Sequence, residues 1–242
     1  MKILFINFQS GMRMVNGHMQ YLTSGWKYLF PHNSDGLEDV VTFINREQPD
    51  IVSFAEIDDC SLRTKQCNQV DVIGQKTHLE HTIFFPTRVS GKWIHQGNAI
   101  LSRYPISSSE KIQLPGSGEK RYLCRADIII NKKTLQFFTT HLSTTKKRNK
   151  RQRQFIADTM QKINTTAILT GDFNIGAQEM TIIKNQTSFV DVQFTPMFPS
   201  WKPEVILDHI FVSGGCSVKK STTYVNEKFS DHLPIGVECD DL

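Results

Sequence analysis

Apolar residues fall along this chain in short runs: Ile3 to Phe8, Asp50 to Phe54, Thr82 to Phe85, Ala99 to Leu101, Ala126 to Ile130, Leu135 to Thr140, Ala167 to Leu169, Ile206 to Val212 and Ile235 to Glu238. Runs of this length, rich in Ile, Val and Phe, predict strands. Helical spacing appears in two places. Leu37, Val40, Val41 and Ile44 share a face behind Asp35, a candidate N-cap, and Phe155, Ile156, Met160 and Ile163 share one within the stretch from Lys147 to Ile163. Many strands and few helices predict stacked sheets flanked by helices. Asn131-Lys132-Lys133 between two β-rich runs reads as a hairpin turn, which calls for antiparallel pairing and argues against a fully parallel doubly wound sheet. No repeat, low-complexity tract or Pro-rich linker interrupts the pattern, so one domain spanning 1–242 is expected.

Composition changes this picture little. Hydrophobic residues make up 39% and charged residues 21%, ordinary for a globular chain and against extensive disorder. The net charge of +4 is a mild bias towards anionic partners, but its distribution is uneven: Lys146, Lys147, Arg148, Lys150, Arg151 and Arg153 fall within eight positions. Such a run is commonly a solvated helix face. The five Cys, at 60, 67, 124, 216 and 239, lack the close pairing of a zinc site and suggest buried thiols rather than a disulfide scaffold. The apolar start is too short for a signal peptide, and no stretch has the roughly 20 apolar residues of a membrane span. A cytoplasmic monomer is the default expectation, with export by a route that needs no signal peptide left open.

Candidate chemistry sits at the ends of the predicted strands, where a sandwich can gather distant residues at one mouth. Asn7 follows the first run, Glu56 follows Ile51-Val52-Ser53-Phe54-Ala55, and His141 follows Phe137-Phe138-Thr139-Thr140. Gly171-Asp172-Phe173-Asn174 follows Ala167-Ile168-Leu169-Thr170. Asp208 interrupts Val205-Ile206-Leu207 before Ile210-Phe211-Val212, and Ser230-Asp231-His232-Leu233-Pro234-Ile235 opens the last strand.

In this linear order, over nearly its whole length, the chain resembles the endonuclease/exonuclease/phosphatase superfamily to which DNase I belongs. Gly-Asp-Phe-Asn at 171–174, Leu-Asp-His-Ile-Phe-Val-Ser at 207–213 and Ser-Asp-His-Leu-Pro-Ile at 230–235 carry the match. Gly97-Asn98-Ala99-Ile100-Leu101-Ser102-Arg103-Tyr104-Pro105-Ile106 and Thr140-His141-Leu142 add its middle segments. The resemblance implies a four-layer α/β/β/α sandwich with two mainly antiparallel sheets. It also implies a hydrolase of phosphate esters that depends on Mg²⁺ or Mn²⁺. Glu56 would be the principal metal ligand, with Asn7 and Asp231 nearby, since hard cations prefer carboxylate oxygens. Asp208 would orient His232, the candidate general base or phosphate contact. Asp172 would orient or deprotonate the attacking water, and Asn174 would hold a phosphate oxygen. His141 resembles the second histidine of the DNase I, sphingomyelinase and inositol-phosphatase branches and points away from the AP-endonuclease branch, which usually has tyrosine there. Asn98 would help place the substrate, and Arg125 would either do so or serve in ordinary surface pairing.

Two positions depart from the family's pattern. His209 stands where many relatives have tyrosine, leaving open a packing residue or a third imidazole at the site, and Ala55 replaces the glutamine that often precedes the metal-binding glutamate. His18, His32, His78, His81 and His95 have no comparable context and are expected to be surface or satisfied core residues.

The substrate is harder to read, because this superfold serves nucleic acids, phospholipids and phosphoinositides alike. The basic stretch begins five residues after His141 and favours a nucleic-acid phosphodiester. Met12, Met14 and Met19 with Trp26, Tyr28, Leu29 and Phe30 form an apolar segment that would suit a phospholipid or sphingomyelin-like substrate, the second choice. A catalytically silent binding module is the alternative of another class.

Overall fold

The computed structural model describes residues 1–28, 30–213 and 215–240, with the side chains of His18, Tyr21, Ser24 and Tyr28 set aside. Among the described residues there are twelve strands and five α-helices. The strands are β1 (Lys2–Asn7), β2 (Ile51–Asp58), β3 (His81–Ser90), β4 (Ile94–Ser102), β5 (Ile106–Gln113), β6 (Tyr122–Ile130), β7 (Lys133–His141), β8 (Ala167–Asp172), β9 (Val190–Asp191), β10 (Asp208–Ser213), β11 (Val218–Thr223) and β12 (Ile235–Cys239). The helices are α1 (His18–Ser24), α2 (Leu37–Glu47), α3 (Gln69–Lys76), α4 (Lys146–Met160) and α5 (Thr181–Gln186).

Two six-stranded sheets form, in the orders β11-β12-β1-β2-β4-β3 and β5-β6-β7-β8-β10-β9. Each is antiparallel except for one parallel pair near its middle, β1 with β2 and β7 with β8. The sheets are mainly antiparallel, as expected. Residues such as Ile3, Phe5, Ile100, Ala126, Phe137 and Ile210 fill the space between them. The outer face of the first sheet buries Leu4, Val52 and Phe54 under α2 and α3, and that of the second buries Leu123, Phe138 and Leu169 under α4 and α5. The result is the α/β/β/α sandwich. The β6–β7 hairpin closes Ile130 against Lys133, and Asn131 and Lys132 both take positive φ, as a two-residue type I′ turn requires.

Several boundaries differ from the pattern-based expectation. Helix α2 is capped by Gly36 without a side-chain bond, because the Asp35 carboxylate pairs with Lys27 at 2.9 Å. Strands β5 and β11 lie outside the apolar runs, since both are exposed edges in which polar residues blunt further pairing. Cys124, Cys216 and Cys239 are buried as expected, but Cys60 is exposed. Among the described residues, no helix is long and apolar enough to cross a membrane.

The topology positions the site. Each central parallel pair delivers its C-terminal ends to one edge, bringing Asn7 beside Ala55 and His141 beside Asp172 in register. Asp208, at the start of antiparallel β10, falls opposite Asp172 at that same edge.

Candidate active site

A bulge in β2 sets Ala55 and Glu56 against the single partner Asn98: the β2–β4 register jumps between Phe54, opposite Ala99, and Ile57, opposite Gly97. Glu56 takes a φ of 54°, a left-handed backbone that costs a non-glycine residue about 1–3 kcal/mol. Strain of this kind persists where the surroundings over-determine it. Here it leaves Ala55 in the core between the sheets and projects the Glu56 carboxylate, 26% exposed, into a cleft. That cleft, about 150 Å³, is walled by Glu56, Gln96, Arg121 and His141 among others.

Asp172 is the hub. Its Oδ2 accepts the Asn7 Nδ2–H at 3.0 Å and lies 3.5 Å from His141 Nε2 and 4.0 Å from His232 Nε2, while its Oδ1 accepts the Asn174 backbone N–H at 2.8 Å. On the far side, His232 Nδ1 is held by both oxygens of Asp208, and the Phe198 ring packs 4.8 Å from the imidazole. Asp231 is fixed by Gln9 Nε2–H at 3.0 Å and by the Ser230 hydroxyl at 3.1 Å. Glu56 lies 3.8 Å from His141 Nδ1 and 3.5 Å from Gln96 Nε2. Asn7, Glu56, His141, Asp172, Asn174, Asp208, Asp231 and His232 therefore converge at one edge of the sandwich. One Asn174 amide hydrogen is committed to the Leu142 carbonyl at 3.0 Å.

Crowded carboxylates and imidazoles shift one another. Burial pushes the Glu56 carboxyl up, and the negative charge of Asp231 adds to it. Burial also raises Asp172, with His232 opposing and Asp208 adding. For His232, burial disfavours the imidazolium, but the charge of Asp208, its hydrogen bond, and then Asp172 and Asp231 raise the pKa to about 10. His141 moves the other way, held well below the ordinary value by burial and by the charges of Arg121 and His232. The two imidazoles are thus opposite in character, one held as a cation and one neutral.

Two expected contacts lie elsewhere or deeper. Arg125 points to the outer face of β6, where it pairs with Asp127 at 3.1 Å and Glu110 at 3.5 Å, so it serves in surface pairing. Asn98 is fully buried on β4 two residues from Gln96, and it lies beside the Cys124 thiol. His209 resolves as a packing residue: its Nδ1 meets Asp191 at 3.1 Å and its ring packs between Phe173 and Phe211, on the outer face of the sheet from Asp208. Its successor position on the strand dictates that, since side chains alternate faces.

Three site residues escaped the pattern. Gln9 and Gln96 supply the amide donors to the acidic cluster, and Arg121 enters the cleft, salt-bridged to Glu119 at 2.9 Å with its buried Nε unbonded. The available signal was weak: Gln96 shares the β4 phase of Asn98, and Arg121 immediately precedes a strand.

The sequence model of the endonuclease/exonuclease/phosphatase family matches residues 15–232. The chain belongs to this family. A curated relative, the uncharacterised protein YbhP of Escherichia coli K12, is 27% identical over 158 residues, covering 60% of this chain and 62% of the relative. The match thus spans less than two thirds of that relative's length. Among solved structures, an endonuclease/exonuclease/phosphatase from Beutenbergia cavernae superposes with a TM-score of 0.77 at 18% identity, covering 99% of this chain and 71% of the other. A mannosyl-6-phosphatase from Bacteroides thetaiotaomicron does so with a TM-score of 0.74 at 17% identity, covering 99% of both. These likenesses establish the fold that the family shares, two mixed sheets with helices outside.

Two donor sets in this family member suit a cation. Asp172, Asp208 and His232 bring ligand atoms within 4.8 Å of one another, but Asp208 and the His232 imidazole are already bonded to each other. Glu56 and Asp231 form a second acidic group at the cleft: burial and then the charge of Asp231 raise the Glu56 carboxyl, the charges of Arg121, His232 and Arg63 lower it, and Gln96, Gln9 and the Ser230 hydroxyl donate to the two carboxylates. Hard divalent ions favour carboxylate oxygens of this kind.

Proposed function

We propose that this protein is a divalent-metal-dependent phosphodiesterase acting by water attack, with nucleic acid as its substrate. The observation that carries the reading is the Asp172 hub, a carboxylate 3.5 Å from His141 Nε2 and 4.0 Å from His232 Nε2. Glu56 and Asp231, with Asn7 close by, would hold Mg²⁺ or Mn²⁺, which supplies charge stabilisation to the phosphoryl oxygens. Asp172, fixed by Asn7 and the Asn174 backbone, is placed to align the attacking water and receive its proton. His232, its Nδ1 engaged by Asp208, presents Nε2 to a phosphate oxygen as a charged donor. Arg121 would add a second positive group, and His141, which lines the same cleft, would give the leaving oxygen a hydrogen-bond partner.

Support for a polyanionic substrate comes from the surroundings. A cavity of about 410 Å³ shares Thr87, Arg88 and Glu119 with the cleft and adds Lys111, Lys120 and Tyr122, so cations extend beyond the reacting phosphate. A specific observation favours a second reading, a phospholipid. Leu22 is 80% exposed, and Met19, Trp26 and Phe30 are exposed beside it, although Met12 and Met14 belong to the core; Leu29 and the Tyr28 side chain lie outside the described residues.

A panel of single-stranded DNA, duplex DNA, RNA, sphingomyelin vesicles, a phosphoinositide and mannose 6-phosphate, with Mg²⁺ and with chelator, tests the substrate. Faster chelator-sensitive cleavage of a nucleic acid is expected. Exclusive cleavage of the lipid, with vesicle binding lost in Trp26→Ser, would replace the reading.

A further inference from the structure

Beyond the cleft, a separate cavity of about 230 Å³ opens between the start of α4 and the loop that joins β5 to β6. It is lined by Gly116, Ser117, Thr145, Lys147, Arg148 and Arg151. Most other arginines are paired, Arg46 with Glu227, Arg63 with Asp58, Arg103 with Asp50, Arg121 with Glu119 and Arg125 with Asp127, while Arg88 at the cleft is not paired among the described residues. Among the described residues, none of the three cations in this cavity has a carboxylate within ion-pair distance. Three like charges converge without compensation, and no acidic residue stands in the first turn of α4 to offset them.

The cavity is also built. Arg148 lies along the loop, where a Cβ on Gly116 would come within 2.7 Å of its Cγ and one on Gly118 within 2.9 Å of its Nη2. Gly116 and Gly118 take φ of 133° and 87°, which side-chain-bearing residues rarely adopt. Gln152 ties the two walls, accepting the Ser143 N–H at 2.9 Å and donating to the Pro115 carbonyl at 3.4 Å. Asn149 donates to the carbonyls of Ser143 and Phe173 at 2.8 and 2.6 Å, which locks α4 to the segment bearing Asp172 and Asn174. Arg153, the sixth member of the basic run, is buried and bonded to Asn149 at 2.8 Å and to Glu179, so it braces the helix. The loop that forms one wall continues into Glu119 and Arg121 of the cleft, so the cavity and the cleft lie at the two ends of one short segment.

We infer that this cavity is a second phosphate site, which takes a non-scissile phosphate of the substrate through Lys147, Arg148 and Arg151. The inference rests on the nucleic-acid reading for the source of that phosphate, a neighbouring backbone phosphate of the strand. The phosphate chemistry itself does not depend on that reading.

The test uses the full chain and the variant Lys147→Gln/Arg148→Gln/Arg151→Gln, in which glutamine keeps the aliphatic stem that packs on Gly116. The double variant Lys147→Gln/Arg151→Gln leaves Arg148 in place and guards against loss of the loop. With chelator present to prevent turnover, inorganic pyrophosphate is titrated while the Ser117 and Thr145 amides are followed by NMR, and a labelled single-stranded oligonucleotide is titrated at several salt concentrations. Pyrophosphate should shift both amides in the parent and in neither variant, and the log-log salt slope for the oligonucleotide should fall by about 0.7 per lost contact, about 2 for the triple variant. Equal amide shifts in parent and variants, or no shift in any, would overturn the site. Shifts confined to the parent, together with oligonucleotide binding that ignores both salt and substitution, would keep the phosphate site and reject nucleic acid as its source.

Discussion

The Nδ1 of His232 lies 2.9 Å from one carboxylate oxygen of Asp208 and 3.1 Å from the other. This contact fixes which nitrogen faces the cleft and keeps the ring charged. Asp208→Asn retains the shape but removes the charge and can favour the wrong tautomer. Turnover should fall by about 10²-fold or more while the fold is kept. The His232 titration, followed by NMR in metal-free protein, should move down from about 10. A variant with the parent's turnover and the parent's titration would contradict the orienting role.

Glu56→Gln removes a formal charge from the cation site with little change of shape. In the parent, added Mg²⁺ should raise Tm by mass action, and in the variant the same rise should require a much higher concentration. Identical Mg²⁺ dependence in both proteins would remove Glu56 from the metal site.

Asp58 and Arg63 form a fully buried ion pair at 2.7 Å beneath the cleft, and the Ser10 hydroxyl accepts from Arg63 at 2.7 Å. Removing one partner strands a buried charge, so Arg63→Met should cost about 3–5 kcal/mol in urea unfolding. The double variant Asp58→Leu/Arg63→Met should recover part of that loss. If Arg63→Met alone unfolds at the parent's midpoint, the pair is not a structural element.

Burial lowers the pKa of His32, with the Phe30 carbonyl opposing and the charges of Lys27 and Arg63 adding to it. The unfolded chain takes up its proton near pH ~6.5, the folded chain only at lower pH. Between those points the unfolded state binds more protons, so this contribution is present above pH ~6.5 and is lost as pH falls. An NMR titration of His32 should give a midpoint below the ordinary value, and His32→Gln should flatten the loss of stability on acidification. A midpoint at or above ~6.5 would contradict this.

The strand-end residues were legible in the sequence because each closes an apolar run, and the run fixes both the strand and the edge at which it stops. Asn7, His141 and Asp172 are of this kind, whereas Glu56 follows its apolar run at a bulge inside β2, which continues to Asp58. Arg125 was not legible as a surface residue from its type, but its phase gave the answer: Cys124, Ala126 and Ile128 face the core between the sheets, so Arg125 and Asp127 face out. The same alternation sends His209 away from Asp208. Gln9 could not be placed, since a 3-10 turn (Gln9–Gly11) carries no periodicity, and its approach to Asp231 spans most of the chain. Strands β5 and β11 were silent because a solvent-facing edge has no need of apolar side chains.

The central claim, that this cleft hydrolyses phosphodiesters with a divalent ion, is tested most directly by the initial rate on a chromogenic phosphodiester. The rate is measured with Mg²⁺ or Mn²⁺ and with chelator, for the parent, His141→Ala and His232→Ala. The parent should turn over only with metal, and each histidine variant should lose about 10²-fold or more. Turnover that survives chelation, or that is equal in all three proteins, would contradict the account.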